Sequence, residues 1–142
     1  MVATDGSDVS LHAAEAAVNL AKIAGAGVTA IYVLDMPRLN QLHGYTSFPG
    51  LKDKLLELMR KEGEKATAEI EQMAVDAGVD YDKILAEGNP AEEIIRLSLE
   101  RGMDLLIMGS IGRSGLAKML LGSVAEKVVR QSLVPVMLVP SR

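Results

Sequence analysis

The chain has 142 residues, 15 Lys plus Arg against 19 Asp plus Glu for a formal charge of −4, and 49% apolar against 24% charged residues. That balance describes one globular domain with a real core and excludes a disordered tail or a collagen-like rod. The absence of cysteine removes disulfide frameworks, thiolate zinc sites and cysteine nucleophiles, and 3% aromatics in a mildly acidic chain lack the basic footprint and stacking rings of a nucleic-acid binder.

Met1-Val2-Ala3-Thr4-Asp5 is a short apolar run stopped by Asp5-Gly6-Ser7, which predicts a buried first strand ending in a turn. From Ser10 to Ala24, Leu11, Ala14, Ala17, Val18, Ala21 and Ala24 recur at helical spacing, with Gly25 and Gly27 placed to end the helix. Residues 28–34 (VTAIYVL) read as a strand covered on both faces, closed by Asp35 and Pro37. Residues 36–50, with two prolines and two glycines and no period, read as a surface loop. Leu51 to Ala77 keeps one apolar stripe and predicts a long amphipathic helix. A weaker strand follows over 79–87. Asn89-Pro90-Ala91-Glu92 then supplies a cap, a first-turn proline and an acid placed to bond back, opening a helix that runs to Arg101. Residues 104–109 form a fourth, wholly apolar strand, residues 123–132 a fourth helix, and residues 134–140 a last strand.

Strands alternating with helices long enough to cross over predict an α/β fold, an open five-stranded parallel sheet with helices on both faces. No repeat or interdomain linker interrupts it, so residues 1–142 form a single domain. Ligands of such sheets bind beyond the carboxyl ends of the strands, where Asp5, Asp35 and Gly109 lie. No apolar run approaches the roughly 18–20 residues of a membrane span. No basic segment followed by an apolar one reads as a signal peptide, so a cytoplasmic protein without membrane partners is expected.

The densest constellation joins the fourth strand to the fourth helix: Gly109-Ser110-Ile111-Gly112, nine residues, then Gly122-Ser123. Glycines let backbone N–H groups approach an anion, and a helix start adds free donors and a positive dipole end. Residues 109–130 carry Arg113, Lys118, Lys127 and Arg130 against Glu126 alone, about +3 where the rest of the chain is about −7. Phosphate is the natural guest. The plainer alternative is that Ser123-Val124-Ala125-Glu126 is an ordinary capping box, Gly122 a turn residue, and Arg113 and Lys118 solvated loop charges. Asp5 can accept from a ligand in the crevice or can make the turn into the first helix together with Ser7. Val33 can offer backbone groups to a base edge or be plain core. His12 and His43 have no partner pattern, and the eight methionines read as core filler. No G-x-x-x-x-G-K-[ST], no G-x-G-x-x-G after the first strand, no G-x-S-x-G and no H-E-x-x-H occurs, and nothing identifies a nucleophile or general base.

Val2-Ala3-Thr4-Asp5-Gly6-Ser7, the G-x2-G-x9-G-S pattern from Gly109 to Ser123, and the ending Val134-Pro135-Val136-Met137-Leu138-Val139 together resemble the universal stress protein family, in its ATP-binding subtype, over the whole chain. The resemblance implies a Rossmann-like fold with strand order 3-2-1-4-5 and a crevice between the first and fourth strands. It also implies ATP as ligand, with Mg or Mn on the phosphates. Carried over by position, Asp5 and the backbone near Ala3, Thr4 and Val33 would meet adenine or ribose, and Met108 and Gly109 the ribose side. Gly112, Gly122, Ser123 and Val124 would face the phosphates. The family has several residues ahead of the Val-Ala-Thr-Asp segment, so a short first strand is implied here. The last strand is apolar; as a sheet edge it would leave a sticky border, and both that argument and the resemblance point to a homodimer through residues 134–139, unless Pro135 and Pro140 block association. The expected function is a dimeric ATP-binding stress-response module. The alternatives are a slow ATP hydrolase or phosphoryl-transfer enzyme using Asp5, Arg113 and Lys118, and a nucleotide-free interaction module.

Overall fold

The computed structural model describes residues 1–42, 44, 47–113 and 121–141. His43 and Lys118 lie outside the described residues. Five strands, β1 (Val2–Ala3), β2 (Val28–Asp35), β3 (Tyr81–Gly88), β4 (Leu106–Gly109) and β5 (Val136–Val139), form one parallel sheet in the order β3-β2-β1-β4-β5. The helices are α1 (Asp8–Ala24), α2 (Met36–Asn40), α3 (Leu51–Ala77), α4 (Pro90–Glu100) and α5 (Ser123–Gln131). The expected strand order and the short first strand are both present.

Successive strand residues point to opposite faces, and the core divides accordingly. Val2, Ala30 and Ile107 pack with Ala13, Ala14, Ala17 and Val18 of α1 and with Ile70 and Ala74 of α3. Their neighbours Ala3, Ile31, Leu106 and Met108 pack on the other face with Ala91, Ile94 and Leu97 of α4 and with Ala125 and Val128 of α5. Because both faces are covered, the central strands are nearly continuous apolar runs. A fully buried side chain such as Ile31 contributes about 1.5–3 kcal/mol relative to exposure.

Strand β4 starts at Leu106 and β5 spans Val136–Val139, inside the expected runs 104–109 and 134–140, and three further differences have a local cause. Helix α1 begins at Asp8 because Ser7 is its cap, its hydroxyl accepting from the Ser10 amide at 3.3 Å. Inside the segment read as loop, Asp35 accepts from the Arg38 amide at 3.0 Å and Pro37 pre-sets φ, which together nucleate the five-residue α2. The third strand begins at Tyr81 instead of Val79, whose amide closes the end of α3 on the Ala74 carbonyl at 2.9 Å. Asn89 caps α4 as expected, accepting from the Glu92 amide at 3.3 Å. The Glu92 carboxylate, however, reaches across to Lys127 of α5 at 2.7 Å.

Candidate functional site

At the carboxyl end of the sheet, β1 runs into a tight turn built on Asp5. Its Oδ1 accepts from the Ser7 amide at 3.0 Å and the Ser7 hydroxyl at 2.6 Å, and its Oδ2 accepts from the Arg113 amide at 2.9 Å. Burial pushes the Asp5 carboxyl up, but these bonds outweigh it and hold the group below the usual aspartate range. The turn-forming reading of Asp5 is therefore the one its side chain satisfies, with Gly6 at φ +76° supplying the left-handed step. Thr4 is buried, its amide bonded to the Ile31 carbonyl at 3.0 Å and its hydroxyl paired with that of Ser10 at 3.0 Å.

The two halves of the glycine pattern meet in space. The Gly122 amide donates to the Ser110 carbonyl at 2.7 Å. A Cβ on Gly122 would sit 3.3 Å from the Ile111 Cα and 3.4 Å from the Gly112 nitrogen. A Cβ on Gly112 would sit 2.8 Å from Asp5 Oδ2, and one on Gly109 would sit 2.8 Å from a Val9 methyl. Each glycine is where another atom already presses against the backbone. The cap of α5 is Gly122, which has no side chain to bond the first-turn amides. The capping-box reading of Ser123 fails for that reason: Ser123 is the first helical residue, and Glu126 instead pairs with Arg130 at 3.0 Å.

Beside the start of α5 opens a hollow of about 470 Å³, lined by Asp35, Pro37, Arg38 and Gln41 from the β2–α2 segment, Asn89, Pro90 and Ala91 from the start of α4, and Ser123, Val124 and Lys127 from α5. Its size falls within the range of small-molecule sites. The apolar part of its wall, Ala91 and Val124, belongs to the same cluster as Ala3, Val33 and Met108. Of the sequence-selected residues, Ser123 and Val124 face the hollow, and Ala3, Val33 and Met108 belong to the apolar cluster that contributes to its wall. Thr4, Asp5, Gly109, Gly112 and Gly122 form the adjoining turn-and-loop junction and are not among the lining residues. Arg113 does not line it either: its guanidinium pairs with Glu62 of α3 at 2.9 Å, near Tyr32, whose hydroxyl burial pushes up. The sequence reading assigned no site role to Arg38, Gln41 or Asn89. Their signal was the pair of helix-start patterns, Asp35-Met36-Pro37 and Asn89-Pro90, at neighbouring strand ends.

His12, on α1, keeps a buried Nδ1 without a hydrogen-bond partner. No group of three or more His, Asp or Glu side chains able to share a metal occurs among the described residues, and none of the described helices is long and apolar enough to cross a membrane.

Residues 1–140 match the profile of the Universal stress protein family. The chain is 40% identical over 139 residues to the universal stress protein MJ0531 of Methanocaldococcus jannaschii, an alignment spanning 98% of this chain and 79% of that one. It is 38% identical over 142 residues to the universal stress protein YxiE of Bacillus subtilis, spanning 98% and 96%. Among solved structures, the protein MJ0577 of Methanocaldococcus jannaschii superposes with a TM-score of 0.87 at 27% identity over 99% of this chain and 94% of that one. A universal stress protein solved in complex with cAMP superposes with a TM-score of 0.68, also at 27% identity, over 99% and 94%.

Proposed function

The chain belongs to the universal stress protein family, and from that premise we propose that it binds ATP, with Mg or Mn carried on the phosphates, and works in the cytoplasm as a homodimer that signals nucleotide occupancy. The observation that carries the reading is the hollow beside α5: an apolar wall for a base, and next to it a helix start whose amides have no side-chain cap. Uncapped first-turn amides together with the helix dipole favour a phosphate. The Ser123 hydroxyl and the Val124 amide stand at that end, and Gly122, the cap of α5, puts no side chain over the first-turn amides. The relative solved with cAMP supports an adenine nucleotide as the class of guest.

Holding, not hydrolysing, is the proposed role. Asp5, the acid nearest the glycine junction, has both oxygens engaged as acceptors and is kept ionised, which makes it a weak base. For the dimer, the two sheet edges differ. Edge strand β3 carries Asp82 and Lys83, whereas edge strand β5 carries no charge and exposes Met137, beside an exposed Leu133. Pro135 and Pro140 flank β5 and leave its four strand residues able to pair.

Titration calorimetry with ATP and magnesium tests the nucleotide reading, and Ser123→Asp sharpens it. Ser123 is exposed in the first turn of α5, where an added carboxylate favours the helix by about 0.3–1 kcal/mol yet repels a phosphate. The expected result is an unchanged or slightly raised melting temperature with ATP affinity reduced at least roughly tenfold. No binding heat from the wild type, or equal affinity in the variant, rejects the proposal.

A further inference from the structure

We propose that Arg38, on the short helix α2, is the residue through which this site distinguishes a polyphosphate from a single phosphate. The inference rests on the nucleotide reading above and concerns which nucleotides the hollow prefers. Among the described residues two cations line it, Arg38 and Lys127, one on each side. They are not equivalent. The Lys127 ammonium is held by Glu92 at 2.7 Å, so its charge is locally compensated. The Arg38 guanidinium has no ion-pair partner among the described residues; the one hydrogen bond Arg38 donates there comes from its backbone amide, to Asp35.

Arg38 is nonetheless not on a free-swinging loop. Leu39, 2% exposed, anchors α2, Asp35 caps one end, and the Gln41 amide closes the other on the carbonyls of Pro37 and Arg38 at 3.2 Å each. The backbone that carries the guanidinium is therefore set before any ligand arrives, which reduces the ordering cost of contact. Asp35 is the acid in this wall, and its Oδ1 is turned to the α2 amide.

Among the described residues, the first turn of α5 supplies neutral donors, the amides and the Ser123 hydroxyl. Such a cradle accepts one phosphate group readily through hydrogen bonds and the dipole end. Each added phosphate brings about one further negative charge, and of the described cations in the wall only Arg38 is uncompensated. Arginine's planar fork also matches two phosphate oxygens at once, which an ammonium does not. Arg38 thus adds little for AMP or cAMP and more for each added phosphate.

The experiment compares wild type and Arg38→Gln in calorimetric titrations with ATP plus magnesium, ADP plus magnesium, and cAMP, with melting temperature as a fold control. Arg38 is exposed, so the fold should be unaffected. The variant is expected to lose roughly three- to tenfold in ATP affinity and less in ADP affinity, to keep cAMP affinity within about twofold, and to show a shallower salt dependence for ATP. Arg38→Lys should restore part of the ATP loss. Equal weakening of all three ligands, or no weakening of ATP, in a chain whose wild type binds ATP overturns the role of Arg38 and leaves the nucleotide reading standing. Failure of the wild type to bind any of the three overturns both.

Discussion

Replacing Gly112 with alanine sets a methyl group against one oxygen. The new Cβ would stand 2.8 Å from Asp5 Oδ2, and ordinary contact begins at 3.4 Å, so about 0.6 Å must be found. Asp5 has little to give, because Ser7 holds its other oxygen through two bonds. Movement along the remaining bond stretches the Arg113 amide contact from 2.9 Å to about 3.5 Å, outside the range of a good N–H···O bond. Losing a hydrogen bond to a charged acceptor costs about 1.5–3 kcal/mol. Gly112 is not in the left-handed region, so alanine recovers about 0.4–1 kcal/mol by restricting the unfolded chain. The net loss is about 1–2 kcal/mol, or roughly 3–8 °C in melting temperature for a chain of this size. Thermal unfolding followed by circular dichroism at pH 7 measures it, and an Asp5→Ala background supplies the control. With the carboxylate gone, the same Gly112→Ala change should be neutral or stabilising, a reversal of sign that appears as a coupling of about 1.5–3 kcal/mol in the double-mutant cycle. Equal losses in both backgrounds would refute the Asp5 clash as the reason for glycine.

Gly63→Ala in the middle of α3 should gain about 1 kcal/mol by helix propensity, but its Cβ would meet Tyr32 Cδ1 at 2.7 Å and Leu85 Cδ2 at 3.0 Å. Overpacking costs about 1–3 kcal/mol, so urea unfolding should show a net destabilisation of about 1 kcal/mol, and a gain would contradict the packing argument. Met137→Lys, at a position 38% exposed on edge strand β5, should leave the melting temperature of the isolated fold nearly unchanged while converting a dimer to a monomer in light scattering behind size exclusion. A variant that keeps twice the chain mass would remove β5 as the interface.

The parts of the fold legible in the sequence are those where one physical pattern dominates. β2 is nearly all apolar and β4 wholly so because both faces are covered, and α3 keeps its stripe for 27 residues. The strand order came from family resemblance; periodicity carries no information about which strands are neighbours. Helix α2 was missed because five residues hold no period, although its cap and proline were in view. Ser123 and Glu126 match a capping box letter for letter. The helix nevertheless starts with Gly122 as its cap, where the chain is pressed against the Ser110 to Gly112 backbone. That is a tertiary contact no local pattern encodes. Glu92 illustrates the same limit, since an acid placed to bond back to its own cap found a lysine on the next helix. At the candidate site, the motif located the glycines and the α5 start, while the opposite wall at Arg38 and Gln41 became visible only once β2, α4 and α5 were brought side by side.

The contrast between the two borders of the sheet has a consequence for assembly size. A β-sheet with adhesive margins on both sides can recruit copies without end, and such growth is the route to fibres. Here charged residues guard the β3 margin and none guards the β5 margin. Once two β5 margins face each other about a two-fold axis, each chain has spent its single adhesive border, and growth terminates at a pair.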